Sequence, residues 1–166
     1  MGLMYRIQQF IAALRAEVAP HEAQLVAELL TPAEQALFAA MPRYDQRHCL
    51  DVYWTLHTAG LRDPLLLRGA LFHDCGKVDD DGRGMALLYY TLVTMLKPIK
   101  PLYTTLAASG KGPLRPIRIY AEHAWRGSRM AAAAGCPPEI VTMIRHYHDA
   151  HPRGRAALLQ WADEQH

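Results

Sequence analysis

His73 and Asp74 stand side by side in LFHDCGKV, residues 71–78, where a Leu/Ala-rich run meets a glycine and a lysine. Imidazole nitrogen and carboxylate oxygen are both metal donors, and an aspartate with two oxygens can bridge two ions. The pair gains meaning only if other segments supply partners. His48, His123, His146, His148 and Asp163 each lie on or beside an apolar stripe. A lone histidine in such a place is more often a hydrogen-bonded core or surface residue than a ligand. A whole set of polar groups on apolar faces is different, because burying each one unpaired would cost roughly 2 kcal/mol or more. Convergence on a shared ion explains them together. Mixed nitrogen and oxygen donors suit Fe, Mn, Zn, Ni or Co better than Ca, which takes oxygen alone.

These residues have to be carried on helices. No segment alternates with period two and β-branched residues are few, so the pattern predicts an all-α fold. Ile7, Phe10, Ile11 and Leu14 share one face of an N-terminal helix, and a second follows Pro20. In TPAEQALFAAM, Thr31 can cap a helix, Pro32 suits its first position and Glu34 completes a capping box. A longer helix ending at Gly60 carries His48. Residues 63–76 read as one helix, with His73 and Asp74 at its end and Gly76 letting the chain turn away. Met85 to Leu96 is the most apolar stretch and is too short for a bilayer, which needs ~20 residues; it is expected as a buried or interfacial helix, a core helix foremost. Residues 97–116 hold four prolines and two glycines and are expected to be loop-rich, with at most a short helix. Three more helices carry His123, then His146 and His148, then Asp163.

Composition excludes several classes. With 51% hydrophobic and 20% charged residues, the 166-residue chain fits one globular domain. A net charge of +2 does not suggest a nucleic-acid-binding surface, so no stable nucleic-acid binding is expected. Cys49, Cys75 and Cys136 form no CxxC and are odd in number, which reads as free buried thiols in a reducing cytoplasm. The N-terminus lacks a long apolar signal region, so a cytoplasmic protein without a transmembrane segment is expected.

The order His48, His73-Asp74, His123, His146/His148, Asp163 resembles the HD-domain metal-dependent phosphohydrolase superfamily. HDCGK is similar to its HDIG form, with Cys75 in place of isoleucine. RHCLDV resembles the first-histidine helix, EHAWRGSRMAAAAG the helix of the third histidine, IRHYHD the segment with a histidine pair, and LLQWADE the helix with the closing aspartate. The resemblance runs from about Leu30 to the end. It implies a single-domain HD-type helical bundle over 1–166, with 1–30 an N-terminal helical extension and 97–116 an insertion. It also implies one ion held by His48, His73, Asp74 and Asp163. A second ion would be bridged by Asp74 and completed by His123 with His146 or His148. His146 is favoured, because two residues further a helix has turned by ~200°. The chain reads His-Tyr-His where the HD-GYP subgroup has adjacent histidines, and it lacks the Gly-Tyr-Pro segment. Cyclic-di-GMP hydrolysis is therefore not expected.

The implied activity is hydrolysis of a small phosphorylated substrate, a nucleotide or another phosphoester, by attack of a metal-bound hydroxide. Asp74 would ligate the ion and orient the water, and Lys77, one helical turn on, would meet a phosphate oxygen. Arg47, Arg126, Arg129 and Arg145 flank the ligand positions and could clamp phosphate, and Tyr147 could stack on a base. Asp45, one turn before His48, could be an extra ligand or a partner of the ligands and is expected foremost as a helix cap; Asp51 and Glu122 are expected as solvent-facing, and His21, His57, His151 and His166 as surface residues. Two alternatives share the scaffold: a di-iron oxygenase, which needs both ion sites, and a sensor that binds metal or nucleotide without turnover. The oligomeric state is left open.

Overall fold

The computed structural model describes residues 16–166. The expected N-terminal helix face of Ile7, Phe10, Ile11 and Leu14 lies outside them. The described residues form an all-α bundle without strands. Its helices are α1 (Pro20–Leu29), α2 (Pro32–Ala40), α3 (Arg43–Thr58), α4 (Pro64–Ala70), α5 (Leu87–Leu96), α6 (Lys100–Ser109), α7 (Arg115–Ala133), α8 (Pro138–His146) and α9 (Arg155–Asp163). Short 3₁₀ turns cover Cys75–Lys77 and Gly112–Leu114. None of the helices is long and apolar enough to cross a membrane.

Local chemistry fixes the helix starts. Thr31 Oγ1 accepts from the Glu34 amide while Glu34 Oε2 accepts from the Thr31 amide, which is the expected capping box. Asp63 caps α4 by accepting from the amides of Leu65 and Leu66, and Arg155 at the start of α9 donates to its second oxygen at 2.8 Å. One aspartate thus ends a loop and ties the last helix to the fourth. Glu34 does similar work: fully buried, it receives Arg68 from α4 at 2.8 Å and the Cys136 thiol at 3.1 Å.

The core lies where α3, α4, α8 and α9 meet. Cys49, Leu50, Val52 and Leu56 of α3 pack with Leu66 and Ala70 of α4, Ile140 and Ile144 of α8, and Leu159 and Ala162 of α9. All three cysteines are free and buried. Helix α7 crosses the Cys75–Lys77 turn and packs along α8.

Three expectations are corrected. The helix expected over 63–76 ends at Ala70; residues 71–74 form turns and 75–77 a 3₁₀ turn. Local propensity favours continuing, but α7 lies across the path. A Cβ at Gly76 would stand 2.0 Å from the His123 carbonyl oxygen and 2.4 Å from the Gly127 amide nitrogen. Gly76 is therefore required by close approach of two backbones, and its φ is not positive. The expected loop-rich insertion contains a ten-residue helix, α6, because Pro101 falls in its first turn, where proline is compatible. The stretch expected as a core helix, Met85 to Leu96, buries only Val93 within α5 and leaves Leu88, Leu92 and Met95 exposed.

Candidate metal centre

The centre forms where α3, the turn after α4, and α9 converge. His48 projects from α3, His73 and Asp74 from the turn, and Asp163 from the last turn of α9. Donor atoms of His48, His73 and Asp74 lie within 4.8 Å of one another, and this group could hold a metal ion. His48 Nε2 is 2.8 Å from Asp163 Oδ1 and 3.6 Å from Asp74 Oδ2. His73 Nε2 is 3.5 Å from Asp163 Oδ1 and 3.7 Å from Asp74 Oδ1. Donors bound at about 2.0–2.2 Å to one ion stand roughly 3–3.6 Å apart, so the spacing suits a small transition-metal ion.

His73 provides the sharpest test of fit. Its side chain is fully buried, and Nδ1 lies 2.8 Å from the Ala70 carbonyl oxygen. A carbonyl only accepts, so a ring proton sits on Nδ1 and Nε2 is the ring nitrogen aimed into the cluster. Among the described residues, Nε2 of His73 is the one buried side-chain nitrogen or oxygen without a hydrogen-bond partner. An orphaned ring nitrogen at 0% exposure is costly in a folded protein, and a backbone carbonyl orienting the far nitrogen is how metal-bound histidines are held. The residues present therefore fit a divalent transition metal. Asp74 is also buried, and full burial opposes its charge. The Lys77 ammonium foremost outweighs that penalty and holds its carboxyl far below the usual range.

A second cluster adjoins the first across Asp74. His123, buried on α7, places Nδ1 2.5 Å from the Tyr120 carbonyl oxygen, which leaves its Nε2 lone pair free to accept. Burial pushes this imidazole down to about 3, so it is neutral. Two groups converge on that single lone pair: Tyr147 Oη at 2.7 Å and His148 Nε2 at 3.1 Å. The Tyr147 hydroxyl also stands 3.1 Å from Asp74 Oδ1. His123 Nε2 itself is 3.5 Å from that oxygen.

The pair His146 and His148 resolves against the expectation. Helix α8 ends at His146, and residues 147–150 turn instead of continuing the helix. The ~200° rotation that favoured His146 does not apply past that point. His146 is exposed and bonds Asp149 at 2.8 Å. His148 is the one that reaches His123.

Lys77 is not a loop lysine. It is 8% exposed, bonded to Asp74 Oδ2, and 4.0 Å from Asp45 Oδ1. The rings of Tyr90 and Tyr120 flank its ammonium, each 5.3 Å away. Desolvation works against its charge, but Asp74 and Asp45 hold it firmly protonated. Asp45, expected as a cap, is buried inside α3, where the Tyr90 hydroxyl donates to both of its oxygens at 2.9 and 2.7 Å. Sequence reasoning missed Tyr90 and Tyr120 entirely. The only available signal was Asp45 at one turn before His48.

The arginines read as phosphate clamps are engaged elsewhere. Arg47 pairs with Glu22 at 2.6 Å and Asp51 at 2.9 Å. Arg126 donates to the carbonyls of Gly76 and Val78 and to Asp80, fastening the turn that carries His73 and Asp74 to α7. Arg129 and Arg145 lie over the Trp125 ring. Tyr147, expected to stack on a base, is fully buried between the two clusters. Glu122 pairs with Arg118. His21, His151 and His166 are exposed, while His57 is half-buried and stacks on Tyr53. No protein-family model matches the chain, and no curated protein or solved structure matches it either.

Proposed function

We propose that this chain is a metal-dependent phosphohydrolase acting on a small phosphoester, a nucleotide or a similar compound. The observation that carries the reading is the orphaned Nε2 of buried His73, set among His48, Asp74 and Asp163. A divalent transition metal held by these four residues would supply hydroxide at neutral pH and offset charge on phosphoryl oxygens. A second ion would fall to His123 and His148, with Asp74 shared.

The chain's own groups have definable tasks. Asp74 stays ionised because Lys77 sits against it, so it is available as a ligand over the whole neutral range. Lys77 therefore acts on Asp74 and not on a phosphate oxygen, since its ammonium is enclosed by Asp74, Asp45 and two tyrosine rings. Asp45, steadied by Tyr90, holds that lysine in place. Tyr147 can donate its proton to Asp74 or to His123, and so orients whichever needs it. Of the first four residues His48 is the most accessible, and it marks the side from which a substrate would approach.

The test is metal analysis of the purified protein together with a phosphoester panel on wild type and Asp74→Ala. Support is a bound transition metal and hydrolysis that the substitution abolishes. Absence of any transition metal, with full activity in the variant, refutes the reading. Two irons per chain with oxygen uptake would assign the centre to the oxygenase alternative instead.

A further inference from the structure

Five of the nine large hydrophobic side chains exposed on the described surface fall between residues 88 and 102: Leu88, Leu92, Met95, Ile99 and Leu102. In α5 they follow helical spacing. Leu88, Leu92 and Met95 share one face, while Tyr90 and Val93 point to the protein. The stripe continues over the bend at Ile99 to Leu102 on α6. Leu88 is 73% exposed and Met95 61%, values that are unfavourable in water unless something covers them.

The charge around the stripe identifies what covers it. From residue 82 to residue 121 the chain carries six cations and no acid, in a molecule whose whole net charge is +2. Arg115 and Arg118 are paired with acids outside that run. Lys97, directly after α5, is exposed and donates to Tyr120, and Lys100 at the start of α6 and Lys111 past its end are exposed as well. A second copy of this face would bring like charges together. Residues 1–15 contain Arg6 and Arg15 and no acid, so they are no better matched. An apolar stripe carried on a cationic, acid-free run of chain matches a surface that is apolar inside and anionic outside.

We propose that α5 and α6 form a docking face for anionic lipid membranes, on which the helices lie flat. The inner side of α5 is part of the wall of the candidate centre, since Tyr90 bonds Asp45 and flanks Lys77. Docking would bring that centre to the bilayer surface, whichever ion or substrate it takes.

Co-sedimentation with phosphatidylcholine vesicles, with and without phosphatidylglycerol, tests this on the full chain. Wild type is expected to pellet with the mixed vesicles, to stay in solution with phosphatidylcholine alone, and to be released by salt. Lys100→Glu/Lys111→Glu should weaken partitioning by about 25-fold or more, at roughly fivefold per lysine. Leu88→Asp/Met95→Asp should abolish it, with a far-UV spectrum and melting temperature like wild type. Wild type that ignores mixed vesicles at low salt overturns the proposal, as do variants that pellet like wild type. A wild-type dimer in light scattering that Leu88→Asp/Met95→Asp splits into monomers, without vesicle binding, assigns the face to a second copy instead.

Discussion

Replacing Gly76 by alanine perturbs the centre without altering any candidate ligand side chain. The added Cβ would stand 2.0 Å from the His123 carbonyl oxygen and 2.4 Å from the Gly127 nitrogen, both backbone atoms, where ordinary contact begins at 3.4 Å. No rotamer relieves a clash with backbone, so the turn and α7 must separate by about 1 Å; overpacking of this kind costs about 1–3 kcal/mol. For a domain of this size each kcal/mol lowers the melting temperature by about 2–4 °C. The same movement shifts Asp74, two residues away, relative to His123. Metal sites tolerate distance changes of only about 0.2 Å, so affinity for the ion should fall by about 10–100-fold. Calorimetry gives the first quantity, and titration of the metal-free protein with Zn or Mn the second. If Gly76→Ala melts like wild type and binds the ion equally well, the close crossing of turn and α7 does not set the geometry of the centre.

Other outcomes follow from the same contacts. Adding Zn or Mn to chelator-treated protein should raise its melting temperature, by the equivalent of about 2.7 kcal/mol at a hundredfold excess over Kd, and His73→Ala should remove that gain. His148→Ala should weaken metal binding while His146→Ala leaves it unchanged, measured by the same titration. Lys77→Met removes the cation between two buried carboxylates; it should destabilise the metal-free protein by about 3–5 kcal/mol in urea unfolding, with part of the loss recovered on metal addition. Glu22 receives Arg47 and Trp54, and the Arg47 hydrogen bond foremost lowers its carboxyl to about 2. Because the folded value lies below the unfolded one of 4.5, the unfolded chain takes up the proton first. The resulting stability, about 3 kcal/mol at 1.36 kcal/mol per pH unit, is present above pH ~4.5 and lost as pH falls toward 2. Acid unfolding of Glu22→Gln should lack that step.

The ligand types were legible because ionisable side chains on apolar helix faces conflict with burial unless something unites them. His48, His73, Asp74, His123, His146, His148 and Asp163 all stood out for that reason, and of these His146 proves exposed and paired with Asp149. The all-α architecture was equally legible from periodicity. What stayed hidden depended on contacts distant in sequence. Leu71 and Phe72 look like continuing helix, and only α7 lying across Gly76 ends α4 early. His146 was favoured by helical rotation, yet α8 stops there. Lys77 carries no local sign of burial, because Asp45 and Tyr90, which enclose it with Asp74, come from α3 and α5. The exposure of α5 was only half legible for the opposite reason: the twelve mostly apolar residues from Met85 to Leu96 suit core or interface alike, and only the fold shows one face of α5 exposed.

His48 and Asp163 touch across 115 positions of sequence. During synthesis His48, His73 and Asp74 emerge well before the helix that closes their cluster. A nascent chain can therefore offer only three of the four donors, and tight retention of an ion has to wait for α9 to dock through Arg155 and Asp63. On the proposed reading, metal occupancy would then be a record of completed folding. A chain whose last helix is displaced by mutation, heat or proteolysis should release its ion before the remaining core gives way, so metal loss would serve as an early reporter of local unfolding.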